Sequence, residues 1–121
     1  MRPWRQSLPS RSNAEQALKL LGLAARAGRT VVGVPLICAA LAKGAKNKTP
    51  LLVLYADDCS ANTQKRITDR TAYYGVKCYR LSVDCGALAL AVGKRDAAVA
   101  AVGVCEPNLA QAIVRVLEAE Q

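Results

Sequence analysis

Asp57 and Asp58 stand side by side directly after the apolar run at residues 51–56. Open α/β sheets collect their ligands beyond the carboxyl ends of strands. An acidic pair at such a place could hold Mg²⁺ or accept a phosphoryl group. That chemistry needs a further carboxylate and a Lys or Thr on the neighbouring strand ends. Those ends offer Ser82 and Gly103-Val104. The pair therefore reads better as acids at a helix N-terminus, where the helix dipole favours negative charge. A phosphate-handling enzyme built on Asp57 and Asp58 is the weakest of the readings considered.

Other catalytic schemes lack their parts. The chain contains no histidine, which removes Ser–His and Cys–His nucleophile pairs. It contains neither G-x-G-x-x-G nor G-x-x-x-x-G-K-[ST], so no nucleotide-cradling loop is expected. The five cysteines, Cys38, Cys59, Cys78, Cys85 and Cys105, form no C-x-x-C pair. A zinc site is not expected from that spacing. They read as buried, reduced thiols acting as small hydrophobes in a cytoplasmic protein. No catalytic residue, metal, cofactor or small-molecule substrate is expected.

The basic residues are more informative. The net charge is +8 over 121 residues, and residues 26–80 alone hold ten basic and three acidic side chains. A balance of this size speaks of partners, either phosphate backbones or anionic membrane surfaces. Gly33 followed by Val34 and Pro35 reads as a glycine beside a helix N-terminus, where free N–H groups can meet a phosphate. Arg26, Arg29 and Lys46 could flank it. Lys65, Arg66 and Arg70 fall on a later helix, with 66 and 70 one turn apart on a single face. Each alone is commonly a solvated surface residue. As a set they favour nucleic acid.

The elements that must position these residues follow from periodicity. Ser12 and Glu15 have capping-box spacing and open a first helix over about residues 13–27, stopped by Gly28. Residues 30–32 are a short β-branched strand. Pro35 suits the first turn of a second helix, which ends near Lys43. The apolar run 51–56 is a central strand covered on both faces. Ser60 caps a third helix reaching about Tyr74. Residues 76–81 form a half-buried strand, Asp84 caps a short fourth helix, residues 97–104 form another apolar strand, and Pro107 opens a final helix. This alternation implies a three-layer α/β/α sandwich around a mixed sheet of about four strands. The domain is expected over residues 12–121, behind a flexible basic leader at residues 1–11 whose Trp4 could stack on a base. No apolar run approaches the length of a membrane span, and the opening residues lack the apolar stretch of a secretory signal.

The order of segments also resembles a known superfamily. Leu20-Leu21-Gly22-Leu23-Ala24-Ala25-Arg26-Ala27-Gly28-Arg29, the glycine-bounded helix between Gly33 and Gly44, and Tyr55-Ala56-Asp57-Asp58-Cys59-Ser60-Ala61-Asn62-Thr63 carry the likeness. So do Ile67-Thr68-Asp69-Arg70, Tyr73-Tyr74-Gly75-Val76 and Ala91-Val92-Gly93-Lys94. They resemble the kink-turn-binding ribosomal protein superfamily (large-subunit proteins seven-Ae and thirty-e), and within it the bacterial YlxQ-like branch. The resemblance implies the same sandwich and no catalytic activity. It implies an RNA grip by Gly33, Val34, Pro35 and Leu36, by the Asp57-Asp58 loop, and by a loop near Val102 and Gly103. Members that bind kink-turns carry a polar pair where this chain has Pro35-Leu36, and many carry a Lys where it has Ala39. Pro and Leu side chains can neither donate nor accept hydrogen bonds. The expectation is therefore a monomeric, non-catalytic binder of structured, possibly ribosomal RNA in the cytoplasm. The grip would rest on backbone N–H groups and Lys/Arg. The alternative is a protein–protein interaction module on the same fold.

Overall fold

The computed structural model describes residues 11–44, 48–94 and 97–118. Of the expected leader at residues 1–11, residues 1–10 with Trp4 lie outside the described residues, as does the candidate Lys46, while Arg11 already belongs to the first helix.

The chain alternates helix and strand: α1 (Arg11–Arg26), β1 (Thr30–Val32), α2 (Val34–Lys43), β2 (Leu52–Ala56), α3 (Ala61–Tyr73), β3 (Lys77–Leu81), α4 (Cys85–Ala91), β4 (Ala101–Val104) and α5 (Pro107–Glu118). Small apolar residues at helical spacing explain α1. Ala14, Ala17, Leu21 and Ala24 are all fully buried and form one stripe. That stripe faces α5, whose buried Ala110, Ile113 and Leu117 repeat the same spacing. Asn13 Nδ2 donates to the Val116 carbonyl at 2.8 Å and ties the two helices together. α1 already includes Arg11 and Ser12, so Ser12 does not stand at the cap position its spacing suggested.

The sheet order is β1-β4-β2-β3. β2 and β3 are parallel, while β4 runs antiparallel to both β1 and β2. β2 is buried almost throughout because it lies inside the sheet with helices on both faces. On one face α1, α4 and α5 enclose a cluster that includes Leu21, Leu54, Leu81, Leu88, Val102 and Ile113. On the other, α2 and α3 enclose Ile37, Leu41, Val53, Ile67, Cys78 and Ala101. Each such aliphatic side chain contributes about 1.5–3 kcal/mol by leaving water. The molecule is the expected three-layer sandwich on a mixed four-stranded sheet. All five cysteines are free thiols, three of them buried. Burial pushes the Cys78 thiol up to about 12, so it stays protonated and apolar in behaviour.

This topology matters for the site. β1, β2 and β3 point the same way, so Gly33, Asp57 and Ser82, which follow them, share one end of the sheet with the start of β4.

Candidate nucleic-acid interface

Gly33 joins β1 to α2 with φ 97° and ψ 143°, a backbone region that side-chain-bearing residues rarely enter. Its N–H donates to the Ala101 carbonyl at 2.9 Å, and its own carbonyl accepts from Ile37 N–H at 3.0 Å. The glycine is therefore locked to the sheet on one side and to the helix on the other. A methyl group placed on it would meet nothing within 4 Å, so this corner opens to solvent. No side chain caps α2. The first-turn N–H groups of Val34 and Leu36 have no acceptor within the helix, and Pro35 has no N–H to offer. Val34 turns inward and is buried, whereas Pro35, Leu36 and Ala39 are exposed.

Beside this corner runs the segment 97–100. The Ala100 carbonyl accepts from Ala56 N–H at 2.9 Å, which seats the segment between the ends of β1 and β2. The sequence reading took residues 97–104 as one strand and placed the family's third contact near Val102 and Gly103. The structure corrects the strand's start and places Val102 and Gly103 inside the sheet. β4 begins only at Ala101, and before it the chain keeps a single link to β2, the Ala56 N–H bond to the Ala100 carbonyl. Val102 is fully buried, and Gly103 lies against Pro50 within the sheet. Residues 97 and 98, just before the strand, are exposed.

Asp57 and Asp58 belong to the same end, but their charges are engaged within the protein. Asp57 Oδ1 accepts from Arg80 Nη2 at 2.7 Å and from Arg80 Nε at 2.8 Å. Asp58 Oδ1 accepts from the Cys85 N–H at 2.9 Å. Hydrogen bonding from the Cys85 thiol, more than any other influence, holds the Asp58 carboxyl below its usual range. The same contact, behind burial, helps push the Cys85 thiol up to about 12. Asp57 N–H donates to the Val83 carbonyl at 2.9 Å, so the loops after β2 and β3 are knitted together. Neither acid caps α3, which takes its cap from Ser60 Oγ accepting from Thr63 N–H at 3.1 Å. Among the described residues no group of three or more His, Cys, Asp or Glu side chains could hold a metal.

The flanking cations are only partly gathered. Lys65 lies in the second turn of α3, near this end, but pairs with Asp69 at 2.9 Å. Arg26 ends α1 and Arg29 precedes β1. Both therefore sit at the beginning of β1 while Gly33 sits at its end, roughly 13 Å away along an extended chain. Arg29 is half-buried and its Nη2 donates to the Cys105 carbonyl at 3.3 Å. Sequence reasoning passed over Lys43, Lys48 and Lys94, which line one groove beside β1. Their separation in sequence gave no sign that they meet.

No family profile matches the chain. It is 34% identical over 99 residues to the RNA-binding protein YlxQ of Bacillus subtilis (strain 168), a match covering 82% of this chain and 92% of that protein. The chain belongs to the YlxQ family. The RNA-binding protein YlxQ of Enterococcus faecium is 38% identical over 69 residues, which is 57% of this chain and 63% of that relative, a little under two thirds of its length. Two solved structures share the fold. The Giardia lamblia 15.5kD RNA binding protein superposes with TM-score 0.78 at 16% identity, covering 98% of each chain. A protein of unknown function from Bacillus halodurans C superposes with TM-score 0.74 at 24% identity, covering 84% of this chain and 96% of that one. The branch suggested by the order of motifs is thus the family found by comparison, and the fold extends to remote RNA-binding relatives.

Proposed function

We propose that this YlxQ-family chain is a non-catalytic RNA-binding protein that takes structured RNA against the Gly33 end of its sheet. The observation that carries the reading is the open, uncapped start of α2 beside the exposed residues 97 and 98, on a chain of net charge +8. Uncapped helix N–H groups are natural partners for phosphate oxygens. The names of the two YlxQ relatives and of the Giardia protein support RNA as the partner class.

Pro35 and Leu36 bear on what kind of RNA contact is made. They present no polar side chain where kink-turn readers of the superfamily carry one. Recognition here rests on backbone phosphates and shape, with little reading of base edges. Work in the cytoplasm beside the ribosome, as a monomer, fits such a protein, and no described helix is long and apolar enough to cross a membrane.

The test is a titration of a kink-turn RNA, an unrelated duplex and a single strand at two salt concentrations. We expect the two structured RNAs to bind comparably and both affinities to fall steeply with salt. If about four phosphates are neutralised, log K should fall by roughly three to four per decade of salt. Tight binding confined to the kink-turn would overturn the phosphate-led reading. No binding near physiological salt would overturn RNA binding itself and favour the interaction-module alternative.

A further inference from the structure

β1 is the outermost strand of the sheet, and among the described residues β4 is its only strand partner. Two hydrogen bonds fix which of its main-chain groups face inward. Cys105 N–H donates to the Arg29 carbonyl at 2.9 Å, and Gly33 N–H donates to the Ala101 carbonyl at 2.9 Å. In an antiparallel ladder the bonded positions alternate, so Arg29, Val31 and Gly33 face β4. The N–H and C=O groups of Thr30 and Val32 therefore point outward. They look into an open groove of about 610 Å³. Leu36 and Ala40 of α2 form one wall, and Val92, just beyond α4, belongs to the other. Leu36 is 61% exposed although it is a leucine. Lys43, Lys48 and Lys94 rim the groove, all three exposed, and among the described residues no acidic one lines it. None of these lysines has an ion-pair partner among the described residues.

The geometry points to a docking groove for an extended acidic peptide of another protein, added to β1 as a fifth strand with its carboxylates among Lys43, Lys48 and Lys94. Three features select that occupant. The edge offers donors and acceptors in alternation, as a peptide backbone does, whereas a phosphodiester only accepts and would leave the Thr30 and Val32 carbonyls unmet. Among the described residues no aromatic one lines the groove for a base to stack on. A second copy of the chain paired edge to edge would bring two sets of lysines together, which is repulsive. A strand of three residues makes only a short ladder, so the lysines must contribute to holding the peptide. The groove adjoins the Gly33 corner and shares Leu36 with it, so the RNA competition below separates the two occupants.

The test uses the full chain and a short fluorescein-labelled peptide of alternating Glu and Val, followed by anisotropy at low salt. Two further versions carry N-methyl groups on one or the other alternate set of backbone amides. Strand addition predicts that one methylated version loses binding while the other keeps it, since only one edge pairs with β1. The double variant Lys48→Glu/Lys94→Glu should weaken the unmethylated peptide about tenfold or more, at up to about 1 kcal/mol per lost ion pair plus repulsion. Amide hydrogen exchange at Thr30 and Val32 should slow when the peptide binds. Absence of binding, or equal binding of both methylated versions, would overturn the proposal. So would displacement of the peptide by an RNA duplex together with an equal loss of RNA affinity in the lysine variant, which would give the groove to RNA. The methylated peptides keep the test decisive should the double variant fold poorly.

Discussion

Asp58 and Gly33 show two ways in which single residues shape the proposed interface. Asp58 is exposed, yet its carboxylate holds the first N–H of α4 and draws a hydrogen bond from the Cys85 thiol. Its folded-state pKa lies below the unfolded value, so its contribution is present above the unfolded value of about 3.9 and is lost as pH falls through the folded value. Asp58→Ala should therefore lower the melting temperature at neutral pH, and the gap to wild type should narrow as the pH falls below the ordinary carboxyl value. Calorimetry across that range checks the sign; a gap that widens on acidification would contradict it. Gly33→Ala meets no neighbour, so its cost is purely that of holding a side-chain residue at φ 97°. Denaturant unfolding should show a loss of about 1–3 kcal/mol. The importance of Gly33 was legible because glycine before a helix start has few explanations. The engagement of Asp57 and Asp58 was not legible. Their partners Arg80 and Cys85 lie 23 and 27 residues onward and meet them only because β2 and β3 pair in parallel.

Among the elements, most boundaries are legible in local chemistry alone. Ser60 and Asp84 cap α3 and α4 through their side chains, with Asp84 Oδ1 accepting from Ala87 N–H at 2.7 Å. Pro107 opens α5 as its rigid φ suggests. The start of β4 was hidden, because residues 97–102 are only Ala and Val and carry no turn signal. That start is set by pairing with β1 and β2, a tertiary fact. Gly103 shows how tightly β4 is held. A Cβ there would lie 2.9 Å from two Pro50 side-chain carbons, and a rigid proline ring inside a packed layer has little room to yield. Gly103→Ala should cost about 1–3 kcal/mol from overpacking, measured by the shift in unfolding midpoint. A neutral effect would mean that the 48–50 turn moves freely.

Over the whole molecule, net charge pointed to a polyanion but could not say where it binds. Ten of the cations fall between residues 26 and 80, yet folding distributes them. Arg80 and Lys65 pair with acids, Lys77 lies 3.6 Å from Glu118, and Arg26 and Arg29 stand at the far end of β1. The proposed interface thus depends less on a massed cationic face than on one open corner. The most direct test of that corner is an amide chemical-shift titration of the ¹⁵N-labelled chain with an RNA duplex. The account predicts that shifts concentrate at Val34, Leu36 and residues 97–100 and spare Arg26 and Arg29. Shifts centred on the far end of β1, with the α2 start unmoved, would contradict it.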